Sequence, residues 1–293
     1  MTMTGFVYAS SYERNGKWYT FKNLKRKGLR LILPFIPAYI IELIIIGIPE
    51  NPVVWLVSGG YDYPGSYYLI LMLELLIIFP VIKWFCGLMM NDKENKPYAW
   101  LIGFVIVFAF QCIYELITYL INLPRAVYRL LIFRYIIFIY GGIMLYKFYK
   151  NGEIPWKNML KCIAIGIIYI ILVIYIGYQP HVIFRYDTWF RSAAPTAFYV
   201  VPVVATLIAN ENRISEKIGN YRFIEKVGNL LVRLGKASYH IYIVQMLWFG
   251  ILIKRISIST LLQPVKFIVS AIVCSIIGVG YFKLEQKIRS RVN

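Results

Sequence analysis

Residues 162–184, CIAIGIIYIILVIYIGYQPHVIF, hold no Lys, Arg, Asp or Glu. The hydrocarbon core of a bilayer is ~30 Å thick and takes about 20 mostly apolar helical residues to cross. A surface helix of a soluble protein keeps a polar face, and this run has no charge to put on one. The same signal recurs at 31–48, 67–86, 98–119, 131–146, 159–178, 193–210, 236–253 and 265–282. Inside lipid a backbone must satisfy its own N–H and C=O groups, which leaves helices and closed barrels. Continuous apolar runs select helices over alternating strands. The expected fold is all-α, a polytopic transmembrane helix bundle with eight complete spans. Residues 1–12 carry a shorter apolar piece, expected as a partial first span. No connection is long enough to house a second domain, so 1–293 is expected to be a single integral membrane domain.

Basic residues between the runs fall on alternate sides. One side collects 24 of the 32 Lys and Arg, among them Lys22, Lys25, Arg26, Lys27 and Arg30, and Lys283, Lys287, Arg289 and Arg291 near the C-terminus. The other collects eight: Arg125, Arg129, Arg134, Arg185, Arg191, Lys254, Arg255 and Lys266. Excess Lys and Arg mark the cytoplasmic side, so segment 10–30 and the C-terminus are both expected there, in a multi-pass protein of the cell membrane. The net charge of +18 is thereby accounted for by membrane-flanking loops and lipid headgroups. A soluble nucleic-acid binder gathers its cations on one folded face, and no nucleic-acid partner is expected.

Cys86, Cys112, Cys162 and Cys274 form no Cys-x-x-Cys pair, and His181 and His240 are the two histidines, so no metal site is expected. Segment 211–235 has Ile214, Ile218, Ile224, Val227 and Leu231 at helical spacing among charges, and is expected as a cytoplasmic amphipathic connection. The connection 49–66, PENPVVWLVSGGYDYPGS, has no basic residue and reads either as a cover over a site or as a plain interfacial turn.

Charged groups within a span cost a few kcal/mol and usually face the bundle interior. Three carboxylates lie there: Glu42, Glu74 and Glu115. At 100° per residue, Gln111, Tyr114, Glu115, Thr118 and Asn122 make one stripe, Tyr67 and Glu74 share a face, and Ser238, Tyr242 and Gln245 share another. Such stripes line a polar cavity or tie one helix to the next. Tyr67, Gln111, Ser238, Tyr242 and Gln245 are the candidate cavity-lining residues. No Gly-x-Ser-x-Gly elbow, phosphate loop or dinucleotide fingerprint is present.

LGKASYHIYIVQM at 234–246 resembles the late-helix signature of the acyltransferase 3 family of integral membrane O-acyltransferases. Ser238, Tyr239, Tyr242 and Gln245 carry the match. TGFVYA at 4–9, LKRKGLRLILPFIPAY at 24–39, PGSYYLILMLELLIIFP at 64–80, RYIIFIYGGIMLY at 134–146 and YFKLE at 281–285 resemble further family segments in the family's order. The resemblance covers essentially the whole chain. It implies transfer of an acyl group, commonly acetyl, from cytoplasmic acyl-CoA to a hydroxyl of an extracytoplasmic glycan or lipid-linked sugar. Acyl-CoA is then the donor substrate, and no bound cofactor is expected. Lys25, Arg26, Lys27 and Arg30 are the candidate acyl-CoA-binding residues, since polyanionic phosphates need cations and Lys27 and Arg30 lie one helical turn apart. Positive-inside anchoring predicts the same residues.

The family's preceding span, bearing an arginine and a histidine base, has no counterpart in these residues. His181 and His240 do not match that base, and the catalytic residue is left unassigned. Glu74 and Glu115 are the substitute candidates, each needing a membrane environment to favour its protonated form. Two readings follow: Met1 is internal to a longer protein, or the chain is an inactive remnant. A transporter or flippase of a lipid-linked sugar, or a non-catalytic membrane subunit, are the competing functions; neither paired repeats nor matched broken helices favour the transporter.

Overall fold

Among the described residues every regular element is helical. The computed structural model describes residues 1–15, 20–47, 68–89, 99–123, 128, 131–152, 154–174, 194–211, 222–252 and 263–292. Tyr67, the connection 49–66, His181 and residues 212–221 lie outside them. The helices are α1 (Thr2–Asn15), α2 (Phe21–Ile32), α3 (Phe35–Ile46), α4 (Tyr68–Met89), α5 (Ala99–Leu120), α6 (Ile136–Asn151), α7 (Trp156–Ile174), α8 (Ala197–Ala209), α9 (Arg222–Leu247) and α10 (Gln263–Val292). Short 3₁₀ turns, Ile132–Tyr135 and Ala194–Thr196, lead into α6 and α8, and a π-helical turn, Trp248–Leu252, follows α9.

Among the described residues, five helical stretches are long and apolar enough to cross a membrane: Phe21–Ile45, Tyr68–Leu88, Trp100–Leu120, Ile132–Asn151 and Pro264–Ser290. Their outward side chains are the apolar ones, with Ile44 77 % and Ile276 68 % exposed. Such a surface is unfavourable in water and natural in lipid. The first stretch joins α2 to α3, so the basic run at 22–30 leads directly into apolar helix. The predicted spans at 159–178, 193–210 and 236–253 fall on α7, α8 and the second half of α9 with its π-helical continuation, the second ending in a turn at Asn210. The chain is a polytopic membrane helix bundle.

Two compact units emerge from the packing, residues 1–24 with 74–213 and residues 25–73 with 214–293; α4 contributes to both. In the first unit α6 is the centre. Ile137 through Leu145 are all buried, as expected of a helix apolar around its whole circumference. It packs on α1, α5 and α8. The approach of α1 is possible because Gly5 and Gly142 lack side chains. A Cβ on Gly142 would collide with the Thr2 carbonyl, and one on Gly5 with that of Ile139. Small residues at such crossings let backbones touch, which is how membrane helices gain packing energy without a hydrophobic drive.

In the second unit α9 packs along α10 and against α3. Phe35, Ala38, Leu69, Ile243 and Met246 form its core, with Tyr239, Tyr242 and Tyr281 against it. Gly278 of α10 admits the Ile241 backbone. Helix α9 runs unbroken from Arg222, so the amphipathic connection expected to end at 235 continues into the next span. The reason is local: Gly228 and Gly235 each cost the helix only about 1 kcal/mol, and no proline intervenes. At 1.5 Å per residue α9 is about 39 Å long.

Candidate functional site

In the first unit the polar stripe of α5 meets the segment that enters α6. Gln111 is fully buried; its Nε2 donates to the Arg134 carbonyl at 2.8 Å, and its Oε1 accepts from the Ile137 N–H at 3.4 Å. Glu115, 2 % exposed, accepts at Oε1 from the Tyr128 hydroxyl at 2.6 Å. Thr118 Oγ1 donates to the Glu115 carbonyl at 2.8 Å. Glu74 Oε2 on α4 accepts from the Ile132 N–H at 2.8 Å. Ile132 opens a 3₁₀ turn whose first N–H groups have no helical partner, so a carboxylate there acts as a cap. Among the described residues Glu74 uses only that oxygen, and it is half-buried.

Arg134 sits in this cluster, 3 % exposed, its guanidinium 5.0 Å from the Tyr128 ring and 5.4 Å from that of Tyr135. Burial pushes the Tyr128 phenol far above its ordinary range; the Arg134 charge pulls it down and the Glu115 carboxylate pushes it up further. Tyr128 is therefore the donor in its hydrogen bond to Glu115. Gln111 and Glu115 thus spend their polar groups on neighbouring segments, the helix-tying arrangement that the pattern also allowed, while Thr118 bonds within its own helix. A buried cation over two aromatic faces, with a carboxylate between its neighbours, is a stable polar core.

The second unit carries the basic helix and the signature segment. On α2, Lys25, Arg26 and Arg30 are exposed and Lys27 is half-buried. Arg30 lies in the last turn, where the helix dipole favours a cation. Between α2 and α3 the ladder is interrupted by Pro34, and Pro37 supplies no N–H either. The carbonyls exposed at this corner are taken by tyrosines: Tyr239 donates to Leu31 O and Tyr281 to Pro34 O, both at 2.6 Å. Two hydroxyls from α9 and α10 thereby fix the end of α2 and its cations. Tyr242 packs its ring 4.8 Å from that of Tyr68, Gln245 is half-buried, and Ser238 is exposed. The structure brings Tyr239, Tyr242 and Tyr281 together around α3; it does not bury Ser238 with them.

One cluster escaped the sequence reading. His240, 5 % exposed, meets Glu285 through Nε2, and Glu285 also pairs with Arg289 one turn further along α10. The imidazole is walled by the Tyr281 and Phe282 rings, with centroids at 5.1 and 5.2 Å. Its Nδ1 has no hydrogen-bond partner among the described residues. The Glu285–Arg289 spacing is legible as an i,i+4 pair, but the third member lies 45 residues away on another helix.

A family model described as an acyltransferase domain, that of the acyltransferase 3 family, matches residues 1–280. No curated protein and no solved structure matches the chain.

Proposed function

The chain belongs to the acyltransferase 3 family, and we propose that it moves an acyl group from cytoplasmic acyl-CoA to a hydroxyl of an extracytoplasmic glycan or lipid-linked sugar. The observation that carries this reading is the family match, which runs through nearly the whole membrane bundle and not through one segment of it. Membrane acyltransferase is the coarse identity; donor, acceptor and sidedness are the finer proposal.

The donor's phosphates need fixed cations. Lys25, Arg26, Lys27 and Arg30 supply them on α2, the end of which is held by the Tyr239 and Tyr281 hydroxyls. A fixed cation cluster binds a polyanion at less entropic cost than one on a loose segment, because ordering has been completed on folding. Transfer then needs a base for the acceptor hydroxyl. Of the two candidate carboxylates, Glu115 is engaged by Tyr128 and almost fully buried, whereas Glu74 keeps Oε1 unengaged by any described residue. Glu74 is the better placed of the pair. The lipid-linked form of the acceptor, and acetyl as the acyl group, follow the family's common chemistry.

Release of CoA thiol in membranes supplied with acetyl-CoA and a hydroxylated sugar acceptor tests the reading. Each charge-assisted contact to phosphate is worth about 1.5–3 kcal/mol, so Lys27→Ala and Arg30→Ala together should raise KM for the donor at least ~10-fold. Release of CoA that ignores both substitutions would contradict the donor assignment.

A further inference from the structure

The second unit contains a pocket of 550 Å³ between α3, α9, the π-helical turn and α10. Pro37, Ala38 and Ile41 of α3 line it, with Ile243, Leu247 and Ile251 along one face of α9 and its continuation, and Ile277, Gly280 and Leu284 of α10. Ala38, Ile243 and Ile251 make a buried floor. Ile41, Ile277 and Leu284 are half-exposed at its edges. The π turn widens the helix where the pocket needs room, a feature found often at functional sites. Trp248 at that turn is pinned by its indole N–H donating to Ser270 Oγ at 2.9 Å.

A polar cluster lies beside this pocket, next to the Tyr281 ring that lines it and that stands 5.1 Å from the His240 ring. On α9 the lining residues Ile243, Leu247 and Ile251 continue one turn backward to His240, by the i, i+3, i+4 rule. On α10, Leu284 is followed by Glu285 and Arg289. The imidazole, carboxylate and guanidinium are linked to one another, and His240 Nδ1 remains a buried nitrogen with no described partner. An apolar pocket with buried polar groups beside it is complementary to an amphiphile with a single tail. The volume is far more than an acetyl group fills, and it lies within the ~300–1,000 Å³ typical of small-molecule sites.

We propose that this pocket binds the aliphatic chain of an acyl thioester longer than acetyl, with its tail toward the π turn and its carbonyl end toward His240. The proposal rests on the acyltransferase reading and refines its donor. Lys25, Arg26, Lys27 and Arg30 belong to the same unit, so phosphate cations and tail pocket are parts of one folded body. Gly280 sets how much chain enters, because a side chain built there meets nothing within 4 Å and would occupy the pocket. Each methylene buried multiplies affinity roughly fourfold.

Photolabelling of the full chain in nanodiscs with a decanoyl-CoA bearing a terminal diazirine tests this. Label should map to peptides covering 243–251 and 277–284. Octanoyl-CoA, longer by six carbons, should compete at least about 100-fold better than acetyl-CoA, a gain that needs only about three to four of the added methylenes buried. Gly280→Leu removes a glycine from a helix interior without a steric clash, so the variant should fold; it should lose label at least ~10-fold while acetyl-CoA binding stays unchanged. Label outside these peptides, competition by phosphatidylglycerol vesicles as effective as octanoyl-CoA, or indifference to Gly280→Leu would each overturn the proposal. If acetyl transfer proceeds while long chains neither label nor compete, the pocket assignment fails and the acyltransferase reading stands. If label maps to the pocket while no acyl-CoA yields a product, the pocket stands and the transfer reading fails.

Discussion

Tyr128 and Glu115 show how one hydroxyl decides the fate of a buried carboxylate. Tyr128→Phe leaves Glu115 without its donor at 2.6 Å while keeping an aromatic ring beside the Arg134 guanidinium. Leaving such a group unsatisfied costs about 1–3 kcal/mol, so the thermal midpoint of the detergent-purified protein should fall, and Glu115→Gln combined with Tyr128→Phe should recover part of the loss. An unchanged midpoint in the single variant would contradict the hydrogen bond's role. Glu13, at the end of α1, accepts from Lys150 at 2.9 Å and from Tyr146 at 3.1 Å, and lies 3.5 Å from Lys83. Burial pushes its carboxyl up, but the Lys150 hydrogen bond, with Lys83 and Tyr146, outweighs this and holds it below the ordinary 4.5. A carboxyl lowered on folding stabilises the fold above its unfolded value and loses that contribution as pH falls through the folded one. Stability should drop below about pH 4.5 more steeply in the native chain than in Glu13→Gln, as thermal midpoints across pH 3–6 will show. These residues were unequally legible. Gln111, Glu115 and Thr118 are visible as a stripe because helical spacing alone aligns them. Their partners Tyr128, Arg134 and Ile132 are not, because pairing depends on how the chain returns from α5 to α6.

At the scale of elements, glycine placement and helix ends govern the packing. A Cβ on Gly142 would meet the Thr2 carbonyl and the Phe6 nitrogen of α1, backbone atoms that cannot swing aside. Gly142→Val should cost about 1–3 kcal/mol by overpacking and loosen α1 from α6, seen as faster amide exchange in residues 2–12. Gly280→Val, with open space around it, should leave exchange in both α9 and α10 unchanged. The corner between α2 and α3 offers a functional counterpart. Tyr239→Phe and Tyr281→Phe each remove a hydroxyl that holds a helix-end carbonyl at 2.6 Å. The pair should raise KM for acyl-CoA several-fold while leaving kcat nearly intact, since the cations are still present but no longer fixed. The apolar runs made these helices predictable from length against bilayer thickness. The continuity of α9 was not, because the charged amphipathic segment 211–235 reads as a connection separate from the apolar run at 236–253. Of the signature at 234–246, Tyr239 and Tyr242 find aromatic or carbonyl partners in the second unit, whereas Ser238 stands exposed. The meeting of His240 with Glu285 was not legible, because it requires the packing of α9 on α10.

For the whole molecule, the bundle's outer surface is apolar, its helix ends are basic, and its sequence matches an acyltransferase domain over residues 1–280. In the proposed orientation the cations of α2 and the C-terminal end of α10 lie on the face that would meet acyl-CoA, because excess Lys and Arg mark the cytoplasmic side. Single cysteines at residue 20 and at the C-terminus of a Cys-free variant should be modified by an impermeant maleimide in inverted vesicles and protected in right-side-out ones. The most direct test is sided transfer: membranes carrying the chain expressed from its own gene, sealed in either orientation, receive acyl-labelled CoA from outside, and alkali-labile label is sought on glycan. The account predicts ester on glycan when the donor reaches the α2 face and none when it reaches the opposite face; absence of ester from both orientations, or equal ester from both, would contradict it.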